Sequence, residues 1–269
     1  MNIAARRRLR HPGETQAGAA APGGGRSILA HAFAGLAVRY HKAMSQRGKF
    51  ITIEGLDGCG KSTQLEKLAA ALRKDSLEVV VTREPGGTAT GEKIRSVLLN
   101  SSTSGLSPLA EMALMFASRA QHLHEIILPA LHAGKVVLCD RFTDSTEAYQ
   151  GGGRKLGSEP VLALHKILCG NLQPELTILM DSEVSASVAR ARRRNQQRAA
   201  EDTLTENDEN RFEQESRAFF GRVRSAYLLI AQREPQRVAL VDARGPADAT
   251  HARIVEIVRQ RFKLISKPA

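Results

Sequence analysis

From Lys49 onward the chain alternates short apolar runs with stretches of helical period. Five runs have the length and β-branched or apolar character of strands: Phe50 to Glu54, Glu78 to Thr82, Val136 to Cys139, Leu176 to Met180 and Val238 to Val241. Between them Leu65, Leu68, Ala69 and Leu72 recur at i, i+3, i+4 and i+7, and Leu109, Met112, Ala113, Phe116, Ala120 and Leu123 mark another amphipathic helix. Strands alternating with helices predict βαβ units. The expected fold is α/β, with a five-stranded parallel sheet covered by helices on both faces, in one domain over residues 48–269. No internal repeat or second domain is visible.

Polar residues gather at one edge of this expected sheet. Glu54-Gly55, Arg83-Glu84, Asp140-Arg141, Asp181 and Asp242 directly follow apolar runs. They therefore fall at carboxyl ends of strands, where open parallel sheets bind ligands. Strand-end charges also meet solvent, and for Asp181 and Asp242 both readings stand.

Residues 1–47 break the pattern. They are rich in Ala and Gly, and show no sustained period before the short run from Ile28 to Val38. Such a stretch buries too little apolar surface to offset its ordering entropy, so it reads as a disordered extension, with Met44 the expected working start. It also carries +7 of the chain's formal net charge of +11. The basic balance therefore describes the extension, and no nucleic-acid groove is expected. Cys59, Cys139 and Cys169 are too few for a disulfide framework or a Cys-rich zinc site, which fits a cytoplasmic protein. The longest apolar run falls short of the ~18 residues that span a bilayer, so no membrane association is expected.

Gly55-Leu56-Asp57-Gly58-Cys59-Gly60-Lys61-Ser62 fits G-x-x-x-x-G-K-[ST] between a predicted strand and a predicted helix, the context this motif requires. Its glycines let backbone N–H groups converge on phosphate oxygens at a helix N-terminus. Lys61 would neutralise the β and γ phosphates of a nucleotide, and Ser62 would hold Mg²⁺. With Thr63 following, these residues form the expected ATP-binding set. Cys59 reads as a small residue that fits the loop. Asp140, after Val-Val-Leu-Cys, is the candidate second carboxylate for Mg²⁺ or its waters.

Three further segments bear on the acceptor: Thr82-Arg83-Glu84-Pro85-Gly86-Gly87-Thr88, then Phe116-Ala117-Ser118-Arg119, then Asp140-Arg141-Phe142 running to Tyr149-Gln150-Gly151-Gly152-Gly153-Arg154. Phe116 and Arg119 are neighbours on one helix face, a ring to stack a base and a guanidinium to bond its edge. Phe116 also lies on the apolar stripe and reads equally as core. Arg83 and Arg141, each at a strand end, could clamp a phosphate from two sides.

Together with the Gly-Leu-Asp-Gly loop, this set resembles the thymidylate kinase family, from about Lys49 to the C-terminus. The resemblance implies a P-loop nucleoside monophosphate kinase fold, Mg²⁺-dependent transfer of phosphate from ATP to dTMP, and a homodimer. It further implies that Phe116 stacks on thymine, that Arg119 meets a pyrimidine carbonyl, and that Ser145 and Thr146 face the base. Tyr149 would crowd the 2′ position of the sugar, and Asp57 would meet the 3′-hydroxyl side of dTMP and align its phosphate. Arg141 joins Lys61 and Asp57 in the expected catalytic set.

Phosphoryl transfer also needs positive charge aimed at the transferred group. Arg190, Arg192, Arg193, Arg194 and Arg198 supply it in an expected Arg-rich lid over about 190–212, with Arg192 and Arg194 ranked first and Arg211 as a further contributor. With Gly at position 58, the pattern resembles the lid-arginine type of the family found in many bacteria. The rival readings are another P-loop nucleotide or deoxynucleoside kinase, and a P-loop regulatory ATPase whose nucleotide only switches a surface.

Overall fold

The computed structural model describes residues 47–100, 103, 105–201, 211, 212 and 214–263. The expected disorder over 1–47 falls, apart from Arg47, outside the described residues, as does the acidic middle of the expected lid. Five strands form one sheet in the order β2-β3-β1-β4-β5. They are β1 (Phe50–Gly55), β2 (Val79–Arg83), β3 (Val136–Asp140), β4 (Leu176–Asp181) and β5 (Val238–Asp242), and every pairing is parallel. The expected strands are all present, shifted at most one residue, so Arg83, Asp140, Asp181 and Asp242 each end a strand.

The helices are α1 (Lys61–Lys74), α2 (Ala89–Leu99), α3 (Pro108–His122), α4 (Leu128–His132), α5 (Thr143–Thr146), α6 (Ser158–Cys169), α7 (Val184–Glu201), α8 (Arg217–Arg233) and α9 (Ala247–Phe262). Wide π turns, Leu123–Ile127 and Glu147–Gly153, continue α3 and α5. Alternation along the strands divides the core. Ile51, Ile53, Leu138 and Ile178 face α1 and α9, meeting Leu65, Leu68, Leu72, Ile254 and Val258. Phe50 and Val137 meet Met112, Phe116 and Val161 on the opposite face, where Leu179 and Val238 pack on Phe219, Val223 and Tyr227 of α8. Both faces are covered, so β1, the middle strand, is buried throughout.

The helix α3 departs from its sequence pattern. Leu109 and Ala113 are exposed, while Glu111, Ser118, Arg119 and His122 are buried beside Met112 and Phe116. Four polar side chains turned inward toward the carboxyl edge of the sheet are a poor way to build a core. They are a reasonable way to line a site, provided each is bonded.

Candidate active site

The loop between β1 and α1 turns through Gly55, Gly58 and Gly60, at φ of 136°, 77° and 98°. These left-handed values are costly for any residue with a Cβ. Gly60 caps α1 without a side-chain bond, so the first backbone N–H groups of the helix remain available to an anion. Lys61 folds over the loop, its Nζ donating to the carbonyls of Gly55 (3.1 Å) and Leu56 (2.9 Å). Ser62 and Thr63 are exposed in the first turn of α1. Cys59 is buried, and burial pushes its thiol up, which keeps it unreactive.

Asp57 and Arg141 join this loop to the end of β3. Arg141 holds a left-handed backbone, φ 72°, and its Nη2 lies 2.8 Å from Asp57 Oδ1. The same guanidinium donates to Ser145 Oγ (3.0 Å), Tyr227 OH (3.1 Å) and Tyr149 OH (3.1 Å), and Tyr149 OH donates to Asp57 Oδ2 (3.0 Å). Burial pushes the Asp57 carboxyl up, but Arg141 and Lys61 more than reverse this, leaving it well below the usual carboxylate range. The structure thus brings Asp57, Lys61, Arg141, Ser145 and Tyr149 together.

Ser145 departs from its expected role. Its hydroxyl donates to the buried Glu54 Oε2 (2.5 Å), under Arg141, instead of standing with Thr146 at the base. Glu54 also accepts from Phe142 N (2.7 Å) and Tyr227 OH (2.9 Å). Burial, and then the charge of Asp144, push Glu54 up to about 7.

A second cluster centres on Arg119. Its guanidinium lies between the rings of Phe116 (4.9 Å) and Phe142 (5.0 Å). Nε donates to Glu84 Oε2 (2.6 Å) and Nη2 to Thr146 Oγ1 (2.9 Å), while Nη1 is buried without a partner. An unbonded buried guanidinium N–H is costly unless a ligand acceptor completes it. Arg83, by contrast, stands at the rim, exposed and paired with Glu92 at 3.1 Å.

Asp140 Oδ1 is likewise buried and unpartnered. A hard carboxylate oxygen facing no donor, at the strand end beside the phosphate loop, fits a magnesium ligand, and Ser62 is a suitable second donor.

The arginines of α7 sort by helix face. Arg190 Nε donates to the Gly58 carbonyl (2.7 Å), whereas Arg192 Nη2 turns to the Glu215 carbonyl (3.4 Å). Arg194 is exposed one turn beyond Arg190 on the same face. The α7 arginine in contact with the phosphate loop is thus Arg190, with Arg194 on its face, whereas the sequence ranked Arg192 and Arg194 first. Arg198 carries no described side chain. Arg211, expected as a further contributor, is buried, 2.7 Å from Glu111 and donating to the Leu98 carbonyl, so its guanidinium ties the chain to α2 and α3. The glycine at 58 has a physical reason too. A Cβ there would overlap the Ser187 carbonyl oxygen and lie 2.9 Å from Ala191 N, so α7 rests directly on the phosphate loop. Asp181 and Asp242 take the solvent-edge reading, paired with Arg224 and Arg244.

Tyr227 and His122 lie in these clusters and were not singled out by sequence. Glu54 and Glu84 carried a signal from their places at strand ends, and Arg190 from the arginine-rich stretch.

Asp57 of the phosphate loop is thus ion-paired to an arginine just past the end of β3, the strand beside β1. A glycine-rich loop between the middle strand of a parallel sheet and a helix N-terminus, with a lysine folded over it, defines a P-loop nucleotide-binding protein. Residues 53–254 match the family model described as Thymidylate kinase. Thymidylate kinase of Pseudomonas putida (strain W619) is 51% identical over 205 residues, 76% of this chain and 93% of that protein. The Geobacter sulfurreducens enzyme is 44% identical over 214 residues, 80% of this chain and 98% of its own. A crystal structure of thymidylate kinase from Ehrlichia chaffeensis superposes with a TM-score of 0.60 at 30% identity, covering 78% of this chain and 98% of that one. The chain belongs to the thymidylate kinase family.

Proposed function

We propose that this chain phosphorylates dTMP with ATP, giving dTDP and ADP, and that the two clusters described above divide the work. The Arg119 cluster reads the base: Phe116 stacks on thymine, Nη1 of Arg119 donates to a pyrimidine carbonyl, and Thr146 flanks it. The Arg141 cluster handles the phosphate. Arg141, with Arg83 at the rim, binds the dTMP phosphate, Asp57 aligns it on the 3′-hydroxyl side, and Tyr149 leaves no room for a 2′-hydroxyl. Lys61 and the N–H groups from Gly55 to Thr63 hold the ATP phosphates.

Ser62 and Asp140 would hold Mg²⁺, which when bound neutralises charge on the β and γ phosphates. Arg190 and Arg194 supply further positive charge toward the transferred group, and α7 lying on Gly58 excludes water from the loop. The acceptor phosphate oxygen attacks in line, so the enzyme carries no covalent intermediate. The observation that supports this reading best is the Asp57–Arg141 pair, which couples the loop to the acceptor side.

Leu109, Ala113 and Ala117 line an exposed face of α3, and neighbouring α6 exposes Leu162, Ile167 and Leu168. This apolar surface suits a homodimer of the family kind. No helix among the described residues is long and apolar enough to cross a membrane, and three free buried cysteines suit the cytoplasm. The test is ADP formation with ATP and Mg²⁺ across dTMP, dUMP, dCMP, dGMP, UMP, thymidine and no acceptor. Strong preference for dTMP is expected, and ADP release indifferent to acceptor would overturn the proposal.

A further inference from the structure

The Arg83–Thr88 segment crosses the end of α3, and its glutamate is bonded on both oxygens. Glu84 Oε2 accepts from Arg119 Nε, and Oε1 lies 3.0 Å from Nδ1 of His122, the last residue of α3. His122 Nε2 lies 2.6 Å from Thr82 Oγ1 on β2. Glu84, Arg119 and His122 are all buried. An ionised carboxylate only accepts, so Nδ1 carries the proton that it receives, while Nε2 pairs with the Thr82 hydroxyl. Arg119 and His122 keep Glu84 ionised against its burial, which by itself pushes the carboxyl up.

The surroundings are shaped around this chain of bonds. Gly87 has φ 81°, and a Cβ there would lie 2.6 Å from His122 Nε2, so a glycine is required for the imidazole to fit. Gly86 N donates to Ser118 Oγ one turn earlier on α3 (3.1 Å). A leucine at 122 would fill a core position without polar cost; an imidazole bonded at both nitrogens does something more. Glu84, His122 and Cys139 offer atoms within 4.8 Å of one another, a spacing that could suggest a metal. Both Glu84 oxygens are already committed, one of them to a guanidinium, and Cys139 Sγ donates to the Arg141 carbonyl, so a cation would have to displace a charge already in place.

A carboxylate held by one arginine can still rotate about its terminal torsion and let the guanidinium plane tilt. A second donor on the other oxygen removes that freedom. We propose that His122 is a positioning residue for base recognition: through Glu84, with Thr82 behind it, His122 fixes the plane of Arg119 between Phe116 and Phe142 so that the unpartnered Nη1 faces the base carbonyl. This rests on the dTMP reading of the site. His122 touches no ligand and acts on the acceptor alone.

Steady-state kinetics of the full chain and its variants test this, with thermal unfolding recorded for each. H122L, which removes both bonds, is expected to raise KM for dTMP about tenfold, the loss of one charge-assisted hydrogen bond, with kcat and KM for ATP within about twofold. H122N keeps a donor at the Nδ1 position and is expected to recover most of the loss, whereas H122Q, which keeps only the Nε2 position, is not. A folded H122L with wild-type KM for dTMP would overturn the role. So would kcat and both KM values moving together, which is the signature of general disruption. If H122L does not fold, the contrast of H122N with H122Q decides, and equal KM values for those two overturn the proposal. A wild-type chain making no dTMP-dependent ADP would overturn the functional reading and His122's role with it; a wild-type chain that does, alongside an indistinguishable H122L, overturns the role of His122 alone.

Discussion

Asp57 Oδ1 and Arg141 Nη2, on the phosphate loop and at the end of β3, lie 2.8 Å apart, and Tyr149 bridges them with one hydroxyl. The pair ties the phosphate loop to the end of β3. It also keeps a positive charge in place before any phosphate arrives, at little reorganisation cost when one does.

Replacing Asp57 with Asn removes the charge that holds Arg141 while keeping the shape. The expected outcome is a fall in kcat of about 10² to 10³, with ATP binding changed far less, measured by steady-state kinetics and by calorimetric titration of ATP. Because the folded carboxyl lies below its ordinary value, its contribution is present throughout the neutral range and is lost only as pH falls through the folded value. The acid limb of the activity profile near pH 5 is therefore expected to be the same in D57N and wild type.

Glu54 has the opposite sign. Its folded pKa, about 7, lies above the ordinary 4.5, so the native state holds the extra proton between those values. Stability from this group is full below about pH 4.5, falls as pH rises toward 7, and is flat beyond, a change of a few kcal/mol. E54Q cannot titrate. Thermal unfolding at pH 5 and pH 8 is expected to show wild type losing more stability across that interval than E54Q does.

At Gly58 the expected effect is kinetic. G58A forces α7 off the loop and strains a φ of 77°, so kcat is expected to fall about tenfold or more while KM for dTMP moves little. Arginine replacements should follow the helix faces: R190A is expected to cost about 10² in kcat and R192A several-fold less. R211A is expected to lower unfolding stability by about 2 kcal/mol, because among the described residues Glu111 is then left with Arg154 as its cationic partner.

Glu147 sits buried in the π turn after α5, and Arg233 of α8 reaches it at 2.6 and 2.8 Å. R233M leaves a buried carboxylate unpaired and is expected to cost about 2 kcal/mol, less than a fully buried pair because Arg233 is partly solvated. The double variant E147Q/R233M is expected to recover most of that, read by denaturant unfolding.

The strands and the phosphate loop were legible because their signals are local: β-branched runs, and glycines at fixed spacing before Lys61. The apolar count failed on α3, where Leu109 and Ala113 face outward and Glu111, Ser118, Arg119 and His122 face in. Buried polar residues look like surface in a sequence, since their partners are distant: Glu84 is 38 positions from His122, and Glu147 is 86 from Arg233. That Arg190 is the α7 arginine touching the loop was not legible, for a related reason. Charge density marked the helix, but which arginine meets the loop depends on the helix's rotation, which Ser187 and Ala191 set by packing against Gly58.

The most direct test of the central claim, that one site passes phosphate from ATP to dTMP, follows the phosphate itself. With γ-labelled ATP, Mg²⁺ and dTMP, the expected result is label in dTDP equal in amount to the ADP formed, with almost no ADP when dTMP is withheld. ADP accumulating without labelled dTDP would contradict the account and leave a nucleotide hydrolase in its place.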